Sequence, residues 1–350
     1  MPANPVRLLL AAFCAVTLAA CDGGGSGDFD PLATSQAAAE VVNAMQQSPA
    51  FHALDVLGEK IVDATSPGMV AAALPQNLLP RTPFTAWTRD RAADLEALAP
   101  RAVAAPIFPA DLLGKTLSYN VGLGRYEVST ETGAPANGVR FILYAVDTLL
   151  HIVRQPLTAV GRLDLTDEST PAAAVLRLVV VINNATLLDY AASASFTTGS
   201  ISFGAEGFIS NGATSIDFDL TQSITAGPTI SVSYTLAVPE LDVALAITAT
   251  LVPNGSTVTL TIEADGNTTV VTATGTKEAI TGTVTHNGDV VIEISGTPDE
   301  PVFRDANGNE LTEAQVGALE ELFAFTDAVF DAFDNLLVPA YHLLSFPSGT

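Results

Sequence analysis

The sequence contains very few cysteines and few basic residues, and each shortage excludes a class of protein. The only cysteines are Cys14 and Cys21, so the chain cannot be a disulfide-rich scaffold. Lys and Arg total 14 against 38 Asp and Glu, which gives a formal charge of −24. Binding of nucleic acid requires clustered positive charge, so we predict no nucleic-acid partner. Hydrophobic residues make up 48 %, which excludes a disordered chain.

Sequence motifs for catalysis and metal binding are also missing. None of the four histidines, at positions 52, 151, 286 and 342, lies at metal-ligand spacing from another His or Cys. No Gly-x-Ser-x-Gly elbow occurs. Asp305–Glu310 is similar to a calcium loop, but its glycine comes too early and Val316 stands where a bidentate Glu is needed. We therefore expect a non-enzymatic protein with no cofactor, no catalytic residues and no metal site.

The first twenty residues are typical of a secretory signal. Arg7 supplies the positive charge, an apolar run follows, and small residues precede Cys21. The run is short for a membrane span, which needs roughly 20 apolar residues. Its end, Leu18-Ala19-Ala20-Cys21, resembles the lipobox of bacterial lipoproteins. That resemblance implies that residues 1–20 are removed and that Cys21 is acylated, which makes Cys21 the one functional residue predicted here.

The segment that follows Cys21 indicates a flexible tether. Residues 21–33 include the run Asp22-Gly-Gly-Gly-Ser-Gly-Asp28, which is typical of a random coil. The resemblance to lipoproteins implies a partner, a membrane of the bacterial cell envelope held through the lipid on Cys21. We expect the outer membrane, although Asp22 resembles a signal for retention at the inner membrane and leaves that location open.

Residues 34–115 are predicted to be helical at first and then rich in proline. Ser35 is a candidate N-cap for a first helix. Ser48-Pro49 is a good start for a second helix, because proline is favoured at the first helical position. Beyond Ser66-Pro67 the frequent prolines predict an irregular segment. We expect residues 34–350 to form one folded unit.

Residues 116–300 are predicted to be strands of one antiparallel β-meander. Apolar and small polar residues alternate, as in Ile216, Phe218 and Leu220 against Asp217 and Asp219. Turn signals separate the alternating segments, and they favour hairpins because both central residues need positive φ. These signals are Asn137-Gly138, Thr198-Gly199, Asn211-Gly212, Ala226-Gly227, Asn254-Gly255, Asp265-Gly266 and Asn287-Gly288. A dozen or so strands of this kind curl, split or close.

Residues 301–350 are predicted to form a C-terminal amphipathic helix. Thr312 and Gln315 match a capping box. The apolar face that follows is wide and rich in phenylalanine, so it must be buried. Pro339 is expected to end or kink the helix.

The predicted fold class is therefore mainly β (α+β). A large antiparallel meander curls into a partial or closed barrel, and N-terminal helices and the C-terminal helix pack on it. This layout resembles envelope lipid carriers of the LolA/LolB type, in which helices plug an open half-barrel. The resemblance lies in layout alone, because no sequence motif carries it and a fold does not determine function.

Two functions fit these features. In the first, the curled sheet binds a hydrophobic small molecule or lipid, and aromatic side chains contact it. The candidates are Tyr144, Tyr190, Phe203, Phe218, Tyr234, Phe323 and Phe330. In the second, the protein is a structural or protein-interaction lipoprotein without a small ligand. An anionic ligand would have to meet Arg125, Arg140, Arg154, Arg162 or Arg177, since residues 178–276 contain no Lys, Arg or His.

Overall fold

The computed structural model describes residues 29–65, 106–197, 199–225, 229–276, 278–297 and 300–345. In this part of the chain one sheet of fifteen strands dominates, and a two-stranded hairpin accompanies it. Within the described ranges, two α-helices precede the strands in sequence and one follows them. The predicted fold class is confirmed: the protein is mainly β, with helices packed on a large and mostly antiparallel sheet.

The helices are α1 Pro31–Gln46, α2 Pro49–Thr65 and α3 Glu313–Ser345. The strands are β1 Lys115–Asn120, β2 Arg125–Val128, β3 Gly138–Tyr144, β4 Val146–Asp147, β5 Ile152–Val153, β6 Ala159–Asp167, β7 Ala174–Ile182, β8 Ala185–Thr197, β9 Ser200–Ser210, β10 Ser215–Thr225, β11 Thr229–Val238, β12 Val243–Val252, β13 Gly255–Ala264, β14 Asn267–Gly275, β15 Ile280–His286, β16 Asp289–Gly296 and β17 Pro301–Asp305.

The strand order follows the chain over most of the sheet. From β6 to β17 each strand pairs antiparallel with the next one in sequence. The exception is β1, which pairs antiparallel with β2 on one side and parallel with β3 on the other. The connection of residues 129–137 carries the chain from β2 across β1 to β3, which is what a parallel pair requires. The predicted antiparallel meander is confirmed for the sheet as a whole, and β1–β3 is the parallel pair within it.

The sheet is open. Its edge strands are β17 and β2, and no described strand pairs one edge with the other. The protein is therefore a curled, partial barrel, and the closed barrel that the sequence left open is not formed. The last strand, β17, also lies inside the segment 301–350 that was assigned to the C-terminal helix, so the sheet runs five residues further than predicted.

One face of the sheet forms the core. Inward side chains alternate with outward ones, so Ile216, Phe218 and Leu220 are buried while Asp217 and Asp219 are exposed. Helix α1 packs on β9, β10, β12 and β13, and α2 packs on β2, β3 and β7 to β9. Helix α3 contacts both of these helices and the sheet. The three helices thus bury apolar side chains of the inward face where they contact the sheet.

The first helix begins earlier than predicted. Asp30 is its N-cap, and the carboxylate of Asp30 accepts hydrogen bonds from the amides of Leu32 at 2.9 Å and Ala33 at 3.3 Å. Pro31 follows at the start of the helix, where its missing N–H costs nothing. Ser35 lies inside the helix and donates to the carbonyl of Leu32. The predicted cap at Ser35 and the predicted tether end at residue 33 are therefore wrong.

The other two helix starts were predicted correctly. The hydroxyl of Ser48 accepts from the amide of Ala50 and donates to the carbonyl of Ser210, which ties the start of α2 to the end of β9. At the start of α3, the amide of Thr312 donates to Gln315 Oε1 at 3.1 Å, and the amide of Gln315 donates to Thr312 Oγ1 at 3.3 Å. This reciprocal pair is the capping box. Helix α3 continues through Pro339 to Ser345, so the proline does not end it.

Some turn signals were read correctly and others were not. Asp265-Gly266 and Asn287-Gly288 have positive φ at both residues, as a type I′ hairpin turn requires. Asn183-Asn184 makes the same turn between β7 and β8 without glycine. By contrast, Asn137-Gly138 leads into β3 from a long connection, so it is not a hairpin turn. Ala226-Gly227 lies outside the described residues.

Candidate functional site

An aromatic cluster joins the inward face of the sheet to α3. Tyr190 of β8, Phe218 of β10 and Tyr234 of β11 surround Phe333 of the helix. The ring centroids are 5.9 Å apart for Tyr190 and Phe218, 5.2 Å for Phe218 and Phe333, and 5.7 Å for Tyr234 and Phe333. These are tilted or edge-on pairs at the separations that aromatic rings prefer. Three of the predicted aromatic residues therefore do share one site.

Tyr190 also makes a polar contact with the helix. Its hydroxyl donates to the carbonyl of Leu336 at 3.2 Å, three residues before Pro339. The ring is only 1 % exposed. Burial raises the pKa of Tyr190 well above its ordinary value, because the phenolate would lose its hydration. The side chain is therefore a neutral hydrogen-bond donor inside the core.

A buried amide lies beside the aromatic cluster. Gln222 is 5 % exposed although it occupies an inward position of β10. Its Nε2 donates to the hydroxyl of Tyr234 at 3.0 Å and to the hydroxyl of Tyr341 of α3 at 3.4 Å. Phe203 of β9 packs on the ring of Tyr341, with centroids 4.6 Å apart. The sheet–helix interface thus combines an apolar centre with a short polar chain at its side.

The remaining predicted aromatic residues do not join this cluster. Tyr144 is half-buried at the end of β3, close to a second aromatic group that includes Tyr119, Tyr126 and Phe141. In that second group the hydroxyl of Tyr126 donates to the carbonyl of Ile142 at 2.9 Å, and burial raises the pKa of Tyr126. The side chains of Phe323 and Phe330 lie outside the described part of the structure.

Comparison with known proteins found no match. No protein-family model, curated protein or solved structure matches the chain. The site can therefore be interpreted only through its own chemistry.

Most of the arginines considered for an anionic ligand already face carboxylates. Arg140 makes two hydrogen bonds to Asp164, at 2.6 and 2.8 Å, and Arg162 lies 3.5 Å from the same carboxylate. Two further pairs join Arg177 to Asp189 and Arg125 to Glu127 at 2.9 and 3.0 Å. The hydrogen bonds to Asp164 and Asp189 raise the pKa of Arg140 and Arg177. Hydrogen bonds from Asn120 first and from Arg125 second lower the pKa of Glu127. The positive charge of these four guanidinium groups is thus largely compensated by carboxylates within the sheet.

The outward face of the sheet carries two shallow depressions. One, of about 360 Å³, has Ala237, Ala244 and Ala246 between the carboxylates of Asp217, Asp219 and Glu263. The other, of about 400 Å³, lies over the Arg177–Asp189 pair. Asp219 stands directly opposite Glu206 in the strand register, and like charges in that arrangement repel. This surface is acidic and solvent-exposed, as the alternation predicted.

The histidines and the Asp305 loop take part in local contacts. His151 Nδ1 lies 3.3 Å from Asp55 Oδ2, and His286 Nδ1 lies 3.0 Å from Thr269 Oγ1. The carboxylate of Asp305 accepts from the amides of Asn307 and Asn309 and from the Asn309 side chain, so its oxygens are used by its own turn. Among the described residues no group of three or more His, Cys, Asp or Glu side chains could hold a metal ion.

Cys21, the predicted acylation site, lies outside the described residues. In the part that the structure does describe, no helix is both long and apolar enough to cross a membrane.

Sequence reasoning did not single out three members of the sheet–helix interface. Phe333 was assigned only to the general apolar face of the helix, and Tyr341 was not considered. Gln222 had a usable signal, because it interrupts the inward row of Phe218, Leu220 and Ile224 with an amide. A polar residue at an inward position needs a partner, and the only way to find that partner is to know which helix covers the strand.

Proposed function

We propose that this chain is a lipid-anchored protein of the bacterial cell envelope that binds a hydrophobic molecule between its curled sheet and α3, without catalysing a reaction. Anchoring rests on the lipobox-like sequence that ends at Cys21. Binding rests on a single observation, the aromatic surface that Tyr190, Phe218 and Tyr234 present to Phe333.

The interactions at this interface are of a kind that a hydrophobic ligand could replace, so that the ligand takes the place of the apolar face of α3. The polar contacts of α3 with this part of the sheet include those of Tyr190 with Leu336 and of Gln222 with Tyr341. A neutral hydrogen bond contributes about 1 kcal/mol net, so burial of apolar side chains holds the helix in place. Burial is non-directional and scales with area, so an acyl chain or another apolar molecule of similar area can replace the helix face.

A second candidate function is a structural or protein-interaction lipoprotein. The observation that favours it is the completeness of the packing, because Tyr190, Tyr234 and Phe333 are each no more than 1 % exposed. In that case the interior is permanently filled, and the acidic outward face contacts partner proteins.

Native mass spectrometry separates the two candidates. The mature protein is released from membranes in a mild detergent, and its mass is compared with that of the polypeptide plus its acyl groups. A reproducible further mass supports the binding function and identifies the class of ligand. That mass should fall in a Phe218→Ala variant and persist in Tyr144→Ala, which alters an aromatic residue outside the cluster. A measured mass equal to that of the polypeptide plus its acyl groups would favour the second function, in which the interior is permanently filled.

The anchor is tested separately. Replacement of Cys21 by Ser should move the processed protein from the membrane fraction to the soluble fraction. Mass analysis of the wild-type N-terminal peptide should show an acylated cysteine. A wild-type mature N-terminus without acyl groups would overturn the anchoring proposal and leave the ligand question open.

A further inference from the structure

Two leucines stand at the tip of the β4–β5 hairpin. Leu149 is 92 % exposed and Leu150 is 66 % exposed. Asp147 Oδ1 accepts hydrogen bonds from the amides of both leucines at 3.1 Å, which fixes the turn with these side chains presented to the outside. The base of the hairpin is anchored, because Val153 is buried and His151 contacts Asp55 of α2 at 3.3 Å. The tip is thus apolar, ordered and protruding.

A second apolar turn lies at the same end of the sheet. β1 and β3 are parallel neighbours, so the turn after β1 and the hairpin after β3 emerge at one end, which we name the Tyr144 end. That turn carries Val121, 48 % exposed, and Leu123, 56 % exposed. The amide of Leu123 donates to Asn120 Oδ1, so this turn is also fixed by a side chain. Two separate turns therefore direct apolar residues past the same end.

The N-terminal part of the chain also reaches this end. The strands alternate in direction from β3 to β15, so β15 ends at the Tyr144 end with His286. The ring of Phe29 packs on His286 with centroids 5.4 Å apart. Cys21 precedes Phe29 by eight residues, which span at most about 28 Å when extended. An acyl anchor on Cys21 would hold the Tyr144 end next to the bilayer.

Charge restricts the contact to one side of this end. Arg154 follows β5 and is exposed beside the apolar hairpin, and Arg125, which begins β2, lies beside the other apolar turn with its guanidinium exposed although it pairs with Glu127. Arginine side chains can bury their methylene groups at a membrane interface while the charge stays at headgroup level. Farther along the same end, the turns near β12, β14 and β16 carry Asp242, Asp265 and Asp289. The side formed by β1 to β6 is therefore the one suited to lipid.

We propose that Leu149 and Leu150, supported by Val121 and Leu123, insert into the interface of the bilayer to which the protein is anchored. This inference rests on the proposed anchoring. A lipid surface fits better than a folded partner, because the apolar side chains stand on convex turns and a fluid surface deforms around them. Insertion at a second point fixes the orientation of the sheet relative to the membrane, which a lipid on a flexible tether cannot do.

The test uses the full chain, isolated with its native N-terminus and reconstituted in zwitterionic phosphatidylcholine vesicles. A polarity-sensitive fluorophore is attached through Leu149→Cys, and through Val252→Cys as the matched control. Val252 is an exposed apolar residue where β12 ends, at the opposite end of the sheet. Both positions are outside the core, so neither substitution disturbs folding. The mature chain otherwise contains only Cys21.

Bromine-bearing lipids should quench the label at position 149 at least several-fold more than the label at position 252, with a blue shift at 149 alone. Equal quenching at the two positions would overturn the inference. A label at 149 that is blue-shifted but not quenched would overturn it too, because residues 66–105, a second copy or another protein would then cover the tip.

Anchoring and insertion fail in distinguishable ways. Mass analysis of the same preparation reports whether Cys21 is acylated. An acylated protein without quenching at position 149 rejects insertion and retains the anchor. A protein without acyl groups rejects the anchor. Vesicles added to its Cys21→Ser form, in which the label sits at position 149 alone, then test insertion directly, since quenching requires contact with lipid.

Discussion

At the scale of single residues, polar side chains hold the turns and the core–helix junction in defined geometries. Asp305, Asp147 and Asn120 each use side-chain oxygens to bind the amides of their own turns. Tyr190 and Gln222 make hydrogen bonds of this kind to α3, across its interface with the sheet. In the exposed turns these contacts replace hydrogen bonds to water and fix the backbone, whereas at the buried interface they satisfy polar groups that water does not reach.

The Asp305 turn should loosen in acid. Hydrogen bonds from the Asn309 side chain and from backbone amides lower the pKa of Asp305 below its ordinary value. Their stabilisation is therefore complete above the pKa of the unfolded chain, and it is lost as the pH falls through the lower pKa of the folded state. The amide resonances of Asn307 and Asn309 should shift together over that pH range. In an Asp305→Asn variant they should show no such titration, and a matching titration there would contradict the assignment.

Replacement of Tyr190 by Phe should destabilise the protein by about 1 kcal/mol, the net worth of one buried hydrogen bond. The ring stays in the cluster, so the slope of urea unfolding should not change. Tyr190→Ala should cost about 3 to 5 kcal/mol, because it also leaves a cavity. Tyr144→Phe serves as the control, since that half-buried tyrosine lies outside the cluster. If Tyr190→Phe and Tyr144→Phe lowered the free energy of unfolding equally, the contact with Leu336 would have no particular role in stability.

At the scale of elements, the three helices form one layer over the inward face of the sheet. α3 packs on α1 and α2 as well as on the strands, so helices from the two ends of the described chain meet. Their starts are set by local side chains, while their positions are set by burial of apolar faces. Substitutions in the caps test what sets the helix starts, and substitutions in the apolar faces test what sets the helix positions.

The capping box of α3 should contribute measurably to stability. Thr312→Ala removes the oxygen that accepts from the Gln315 amide and should cost about 1 kcal/mol. Thr312→Ser keeps that oxygen and should be nearly neutral. Urea unfolding of both variants gives the comparison. If serine and alanine were equally destabilising, the methyl group of Thr312 would be the cause instead of the cap.

Gly58 of α2 should tolerate alanine, and the protein should become more stable by about 0.5 to 1 kcal/mol. An added Cβ would lie 3.6 Å from Val338 Cγ1, which is an ordinary contact. Gly138→Ala is the opposite case, because its Cβ would meet the carbonyl oxygen of Leu165 across the β3–β6 pair at 1.9 Å. Thermal unfolding should therefore move in opposite directions for the two substitutions. A lower melting temperature for Gly58→Ala would show that α2 and α3 pack too tightly at this point to accept a methyl group.

At the scale of the whole molecule, an acidic outward face surrounds an apolar interior. The net charge is −24, and Glu206 and Asp219 face each other across β9 and β10. Repulsion of this kind destabilises the compact state and keeps the protein soluble.

Salt should therefore stabilise the protein. Raising NaCl from about 0.01 M to about 0.5 M shortens the screening length several-fold, and the melting temperature should rise by several degrees. Glu206→Gln should weaken this dependence, because it removes one partner of the opposed pair. Glu59→Gln on α2 removes the same charge elsewhere and should change the dependence less. A melting temperature insensitive to salt would mean that the charges are already compensated.

How much of this could be predicted depends on the range of the interaction. Alternation along β10 and the Thr312–Gln315 cap are local, so the sequence predicted them. The parallel pair of β1 and β3 depends on where a nine-residue connection crosses, and nothing in residues 129–137 encodes that crossing. Ser35 was preferred over Asp30 because Asp30 was assigned to the tether, although Asp30-Pro31 is the stronger start signal.

The candidate site was predicted only in part, because some of its contacts follow from local patterns and others depend on long-range packing. Tyr190, Phe218 and Tyr234 lie on the inward rows, and their alternation was visible in the sequence. Their meeting with Phe333 depends on the angle and depth at which α3 crosses the sheet, which no local pattern specifies. The carboxylate partners of Arg140 and Arg177 could have been proposed only with the strand register in hand.

The contact between α1 and α3 fixes the order in which the interior can be completed. Along the described part of the chain α1 and α2 come first, the strands follow, and α3 comes last. Most strands pair with their sequence neighbours, and α1 and α2 already pack on β7 to β10. Tyr190, Phe218 and Tyr234 nevertheless lack their neighbours on α3 until residues 313–345 are present. A chain that stops before residue 313 would therefore leave this part of the inward face without its cover. We expect such nascent chains to need a holding chaperone, and the complete chain to release it.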